Sequence, residues 1–139
     1  MPLENIFATP IWIDESSTND EIEQYQQELE YVMSVMKDTN MANPWGDTVE
    51  TSFKYLNSVN IVEHMPEFKK FILKHVRLYL KTPESAMDPG IIRESWWNVS
   101  RRGGFQHWHI HSRNDISGVW FHKTNEQDGN LLLKPDSTG

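Results

Sequence analysis

Apolar residues recur at helical spacing after Thr18, and polar residues fill the positions between them. Thr18 followed three residues later by Glu21 is a capping-box sequence, which predicts that a helix begins at this point. Glu and Gln side chains occupy the face opposite the apolar stripe, as in a helix with one buried side. The pattern predicts a first helix that ends near Asp38 and whose core-facing stripe is Ile22, Tyr25, Leu29, Val32, Met33 and Met36.

A second helical pattern begins at Pro66, because proline is favoured in the first turn of a helix. Thr82-Pro83 predicts its end, so the helical part of the chain covers about residues 18–82. Between the helices, residues 51–56 fit either a strand or the approach to a short helical turn. The apolar stripe of the second helix is Phe68, Phe71, Ile72, His75, Val76 and Tyr79, and within it His75 is expected to be a core histidine rather than a metal ligand.

The period of the pattern changes to two after Gly90, which is typical of strands. Glycine-rich or polar turns separate the alternating stretches, so the β-rich part covers about residues 90–134. Together with the helices this predicts an α+β fold with an antiparallel β-rich second half. The predicted strands are residues 90–101, 105–111, 116–123 and 130–134.

His107, His109 and His111 alternate along the second of these predicted strands, so their side chains are expected on one face and Trp108 and Ile110 on the other. Residues two apart on a strand have Cβ atoms roughly 6.5 Å apart, and each metal–imidazole bond needs only about 2 Å, so two such rings can converge on one ion. Imidazole suits Zn, Cu, Fe and Ni. The spacing alone is equally compatible with histidines that bind no metal ion.

A third ligand must come from another strand or from the following turn. Asp115 is the nearest carboxylate in that turn and is the candidate that the spacing offers. A mononuclear iron site with two histidines and one carboxylate leaves positions open for oxygen and a co-substrate. The candidate ligands from the residues alone are therefore the three alternating histidines and Asp115.

Composition narrows the class of protein. The length of 139 residues predicts one domain spanning residues 1–139, and the absence of cysteine excludes disulfides and thiolate chemistry. No apolar run approaches the roughly 20 residues needed to span a membrane, and the first residues lack a signal-peptide pattern, which predicts a cytoplasmic protein without membrane contact. A net charge of −7 disfavours nucleic acid as a partner. Arg101, Arg102 and Arg113 near the histidines can attract an anionic substrate.

Three stretches resemble a family of 2-oxoglutarate/Fe(II)-dependent oxygenases found in bacteria and phages. They are residues 94–103 (ESWWNVSRRG), 105–111 (FQHWHIH) and 116–121 (ISGVWF), and residues 6–12 (IFATPIW) resemble the opening of that family. The shared pattern is a Ser-Trp-x-Asn strand, a glycine turn, a His-x-His, and then Ser-Gly-Val followed by two aromatic residues. This combination is more specific than the His-x-His alone.

The resemblance implies a double-stranded β-helix, or jelly roll, against which the two N-terminal helices pack. It implies Fe(II) as the metal, 2-oxoglutarate as co-substrate, and His109 and His111 at the position where related enzymes carry His-x-Asp or His-x-Glu. His107 lies outside the matched pair and, with Asp115, ranks below it as a ligand. The catalytic residues and the substrate are not identified by the resemblance.

In the family, the late strands carry a distal histidine ligand and an Arg or Lys that binds the co-substrate. This chain departs from that pattern. No histidine follows His122. The expectation is therefore a jelly roll that is incomplete at its C-terminal side and inactive alone. Three explanations are open: a truncated chain, a separate chain that completes the barrel, or a protein that has lost the reaction. Its open sheet edges are expected to pair with a completing chain or with a second copy.

Two other classes of protein fit parts of the pattern. Gly103, His109, His111 and Asp115 partly match the spacing of cupins, and a cupin-like protein would bind metal through Asp115 without needing 2-oxoglutarate. A phage-type accessory or binding module with structural histidines is the non-enzymatic alternative. If the protein is phage-encoded, its compartment is the host cytoplasm.

Overall fold

The computed structural model describes residues 10–36, 49–53, 60–81 and 91–134. Predictions that fall on residues 5–9, 37–48, 54–59 and 82–90 lie outside these ranges. The backbone divides into two compact units, residues 1–108 and 109–139. The described elements all belong to the first unit: α1 (Asn19–Val35), β1 (Val49–Thr51), a 3-10 helix (Ile61–His64), α2 (Pro66–Leu80) and β2 (Asn98–Ser100).

Helix α1 begins where the capping box predicts. The Thr18 hydroxyl accepts a hydrogen bond from the Glu21 amide at 3.2 Å, and the Glu21 carboxylate accepts one from the Thr18 amide at 2.8 Å. These bonds satisfy two of the amides that a helix start leaves without an intrahelical partner. The predicted stripe is confirmed, since Tyr25, Leu29 and Val32 are buried and its other three members are half-buried.

Helix α2 takes its N-terminal cap from α1 rather than from its own sequence. No side chain at the residue preceding the helix caps it. Instead, the Glu28 carboxylate accepts hydrogen bonds from the amides of Glu67 at 2.9 Å and Phe68 at 3.0 Å. A carboxylate placed there also interacts favourably with the positive end of the helix dipole. The same contact therefore caps α2 and fixes it against α1.

The core lies between the two helices and the 3-10 helix. The Tyr25 ring lies 5.5 Å from that of Phe68 and 5.2 Å from that of Phe71, distances at which aromatic rings attract each other. Burial raises the pKa of the Tyr25 phenol, and the nearby carboxylates of Glu21, Glu67 and Glu28 act in the same direction. The buried apolar side chains are Tyr25, Leu29, Val32, Ile61, Val62, Met65, Phe68 and Trp97.

Strands β1 and β2 form a two-stranded antiparallel sheet in which Glu50 pairs with Val99. The ladder continues through Ser52, whose amide donates to the Trp97 carbonyl at 3.1 Å and whose hydroxyl accepts from the Trp97 amide at 2.9 Å. The Trp97 side chain is buried, while Trp96 is half-buried and meets the Phe53 ring edge-on, with ring centres 4.9 Å apart. One indole of the pair is thus in the core, as alternation along a strand predicts.

The second half of the chain corrects the predicted strands. Within residues 91–134 only Asn98–Ser100 is a strand. The prediction of strands over residues 105–111, 116–123 and 130–134 is therefore wrong. An alternating pattern marks two faces, but a strand also needs a neighbour for its amides and carbonyls. The predicted turns are present, with the Gly104 amide bonded to the Arg101 carbonyl at 2.8 Å and the Asp128 amide to the Asn125 carbonyl at 3.0 Å.

Two helices and a small antiparallel sheet make the described part an α+β structure, in agreement with the predicted class. The helices also bear on the membrane prediction. In the ranges that the structure describes, neither is both long and apolar enough to cross a bilayer.

Candidate metal-binding segment

Residues 103–122, here called the histidine segment, start at a turn that the sheet fixes in place. Gly103 has φ 77°, a backbone conformation that side chains disfavour, so the turn requires glycine at this position. The preceding Arg101 donates from Nε at 2.9 Å and from Nη2 at 2.8 Å to one carboxylate oxygen of Glu50 on β1. Arg101 is therefore bound to a carboxylate of the sheet, which competes with its predicted role towards an anionic substrate.

His109 and His111 lie close together in the second unit. Their ring centres are 5.0 Å apart and the rings are nearly perpendicular, at 84°. A metal–nitrogen bond of about 2 Å, with roughly 1 Å more to the ring centre, puts the centres of two imidazoles on one ion about 4.5–5.5 Å apart. The separation of the two ring centres falls within this range, which is also that of an ordinary edge-on ring contact such as Phe105–His107.

The structure does not add the lower-ranked ligands to this pair. His107 belongs to the first unit, where its ring meets the Phe105 ring edge-on at 5.0 Å. Asp115 is exposed in the second unit. Across residues 10–36, 49–53, 60–81 and 91–134, no three His, Asp or Glu side chains are grouped to hold a metal ion. The pair of His109 and His111 is thus a two-ligand arrangement within this part of the chain.

Large apolar side chains on either side of these histidines are exposed to water. Trp108 is 62% exposed and Ile110 is 86% exposed. Farther along, the exposed residues include Val119, Phe121 and the run 131–133. The predicted arrangement has histidines on one face and a buried apolar face opposite, whereas in the described structure Trp108 and Ile110 are exposed. Exposed apolar side chains that join into a large patch mark an interaction site or an aggregation-prone surface.

His122 is half-buried, and its ring centre lies 5.3 Å from that of Trp120. The two rings are tilted by 43°, a packing contact of the kind aromatic pairs favour. This half-buried packing contact distinguishes His122 from the exposed pair of His109 and His111.

A second histidine site lies at α2 and involves a contact that sequence reasoning missed. His75 accepts a hydrogen bond at Nδ1 from the Trp12 indole N–H at 3.1 Å, and its Nε2 lies 3.8 Å from a carboxylate oxygen of Asp14. His75 is thus half-buried rather than part of the fully buried core, and both of its ring nitrogens face polar partners. Its partners precede it by more than sixty residues, and no spacing pattern in the sequence connects them.

Asp14 is kept in its ionised form by its surroundings. The hydrogen bond from the Ser16 hydroxyl is the largest influence on the Asp14 carboxyl and lowers its pKa. Burial, the next largest, raises the pKa, and the His75 and Lys74 side chains lower it. Beside it lies a cavity of about 310 Å³ lined by both helices and by the turn before α1. Its charged lining residues are Glu21, Glu67, Lys70 and Lys74.

No protein-family model, no curated protein and no solved structure matches this chain. The resemblance to the oxygenase family is therefore carried by the residues of the four stretches alone. What the geometry adds is the proximity of two histidines and the absence of a third ligand among the described residues.

Proposed function

We propose that this chain supplies the first two metal ligands, His109 and His111, of a 2-oxoglutarate- and Fe(II)-dependent dioxygenase of the hydroxylase type. The observation that carries the proposal is the 5.0 Å separation of the two imidazole rings. It is supported by the motif around them, in which a glycine turn precedes the pair and Ser117-Gly118-Val119 follows it. Imidazole is a suitable ligand for iron.

The described residues do not fit a complete iron centre. Two imidazoles match two of the three protein ligands in a facial site, and the third is not assembled among the described residues. Both histidines are also exposed, whereas a reactive metal site excludes water. We therefore derive no catalytic step from the present arrangement and assign to the pair only the holding of the metal.

Additional β-strands are the element that the proposed site lacks. In the proposed double-stranded β-helix, those strands pair with the histidine segment, cover Trp108 and Ile110, and carry the remaining ligand and the cationic partner of 2-oxoglutarate. The exposure of these two side chains supports such a cover. The strands come either from further residues of the same protein or from a second chain that adds to an open sheet edge.

Anaerobic titration of the full chain with Fe(II), with and without 2-oxoglutarate, tests the proposal. We expect weak binding of one ion per chain that tightens when 2-oxoglutarate is added, because the co-substrate supplies two oxygen ligands to a site that has few. The double variant His109→Ala/His111→Ala is expected to lose this binding. His64→Ala is the matched control, since His64 is an exposed histidine on the 3-10 helix of the first unit.

Each result separates the candidate functions. Iron binding that tightens with 2-oxoglutarate, is lost in the double variant and is retained in the control supports the proposal. Binding that depends on both histidines and ignores 2-oxoglutarate favours the cupin-like alternative, in which Asp115 is the third ligand. Equal binding by the wild type and the double variant contradicts both metal functions and leaves a non-enzymatic module.

A further inference from the structure

The two nitrogens of His75 face partners that act in opposite directions on the gain of a second proton. An indole N–H is only a donor, so the Trp12 contact at 3.1 Å requires that Nδ1 carry no proton. The neutral ring then carries its proton on Nε2, which faces the Asp14 carboxylate at 3.8 Å. Trp12 thus selects the neutral imidazole, whereas Asp14 stabilises the charged imidazolium.

We propose that His75 is a protonation-dependent clasp, in which gain of a proton at Nδ1 releases Trp12 and leaves the segment before α1 attached through the Asp14–His75 ion pair. Protonation places an N–H on Nδ1 that points at the indole N–H, so that hydrogen bond is lost. At the same time the 3.8 Å contact becomes an attraction between opposite charges. One bond is therefore exchanged for the other.

The surroundings of the ring allow this exchange. The His75 side chain is only 14% exposed and lies against Phe71, with ring centres 4.4 Å apart, so the imidazole itself is held in place by α2. Trp12 is 48% exposed and belongs to a segment without regular structure, so the indole can leave without breaking an element. The Tyr79 hydroxyl donates to the Pro10 carbonyl at 3.5 Å, a long contact that holds the segment only weakly.

Several charged groups face this site and contribute to the balance between the two states. Asp14 comes from the segment itself, and its pKa is lowered, so it is available as a counter-ion. Helix α1 contributes Glu21 to the shared cavity, while α2 contributes one acid and two bases. Glu67 and Lys70 form an ion pair with each other at 2.7 Å. The other charged groups at the site are Asp14, Glu21 and Lys74.

The indole N–H resonance of Trp12 in the ¹⁵N-labelled full chain reports directly on the clasp. Trp12→Phe assigns the resonance by removing it. Between about pH 8 and pH 5, the range in which histidine side chains titrate, we expect this resonance to move in one step as the hydrogen bond is lost. The step is expected to be absent in His75→Gln, which cannot titrate, and retained in His64→Gln, the matched histidine control.

A resonance that does not move over this range, or that moves equally in His75→Gln, overturns the proposal. A second measurement on the unsubstituted protein covers the case in which His75→Gln fails to fold. The imidazole ¹⁵N spectrum near pH 8 is expected to show His75 protonated at Nε2 and not at Nδ1. The opposite tautomer is incompatible with the Trp12 contact and would also overturn the clasp.

Discussion

The helical region and the histidine segment differ in how their side chains find partners. Between α1 and α2 the Glu28 carboxylate bonds two amides of α2, and Tyr25 packs against two other rings. In the histidine segment, Trp108 and Ile110 face water. A helix makes its backbone hydrogen bonds within itself, so its formation needs only a local sequence and an apolar stripe to bury. A strand needs a neighbouring strand for its backbone hydrogen bonds, so an alternating sequence pattern does not by itself produce a strand.

The strongest test of this difference replaces one tryptophan in each region. Trp97→Ala removes an indole that is 8% exposed, and we expect the free energy of unfolding to fall by about 3 kcal/mol because a cavity is left in the core. Trp108→Ala is the matched control and is expected to change it by less than about 0.5 kcal/mol. Urea unfolding followed by circular dichroism measures both, and equal losses would show that Trp108 is buried too.

The cap that joins the helices is expected to have the next largest effect. Glu28→Ala removes a charged acceptor from two backbone amides, so the free energy of unfolding should fall by about 2 kcal/mol. Glu23→Ala, on the same helix, loses only a contact with the exposed Gln27 side chain and should cost less than about 0.5 kcal/mol. The same denaturation experiment compares them, and a loss in Glu23→Ala as large as that in Glu28→Ala would refute the inter-helix cap.

A smaller loss is expected at the start of α1. Thr18→Ala removes the hydroxyl that accepts from the Glu21 amide, and substitutions of this kind cost about 1 kcal/mol. Ser17→Ala changes the neighbouring hydroxyl, which lies outside the capping box. Thermal unfolding by differential scanning calorimetry should show a lower Tm for Thr18→Ala alone, and unchanged Tm values in both variants would contradict the capping role.

The smallest effect is a dependence on pH through Asp14. Because the folded pKa of Asp14 lies below its ordinary value of 3.8, this carboxylate contributes stability above that pH, and the contribution is lost as the pH falls through the folded pKa. Ser16→Ala removes the largest cause of the lowered pKa. The stability difference between wild type and variant should therefore be present at neutral pH and shrink in acid.

Ser34→Ala is the control for this comparison, since the Ser34 hydroxyl donates to the Tyr31 carbonyl, which does not titrate. Its stability difference from wild type should be the same at both pH values. Unfolding in urea at neutral pH and below pH 3.8 measures the two differences. A Ser16→Ala difference that stays constant in acid would show that Asp14 does not stabilise the fold through its charge.

The sequence predicts what depends on neighbouring residues. The capping box of Thr18 and Glu21 and the stripes of both helices are local patterns, and the spacing of His109 and His111 already indicates that their rings can meet. The Glu28 cap and the Trp12–His75 contact join residues 39 and 63 positions apart, and no periodicity links them. Strand formation after β2 and the third metal ligand depend likewise on partners that local spacing does not specify.

The most direct test of the metal site is a double-mutant cycle on Co(II) affinity, with wild type, His109→Ala, His111→Ala and the double variant. If the rings, 5.0 Å apart, hold one ion together, either single substitution should remove most of the binding. The double variant should then lose little more, because one imidazole alone binds weakly. Singles that bind as tightly as the wild type, or losses that simply add, would contradict a shared ion.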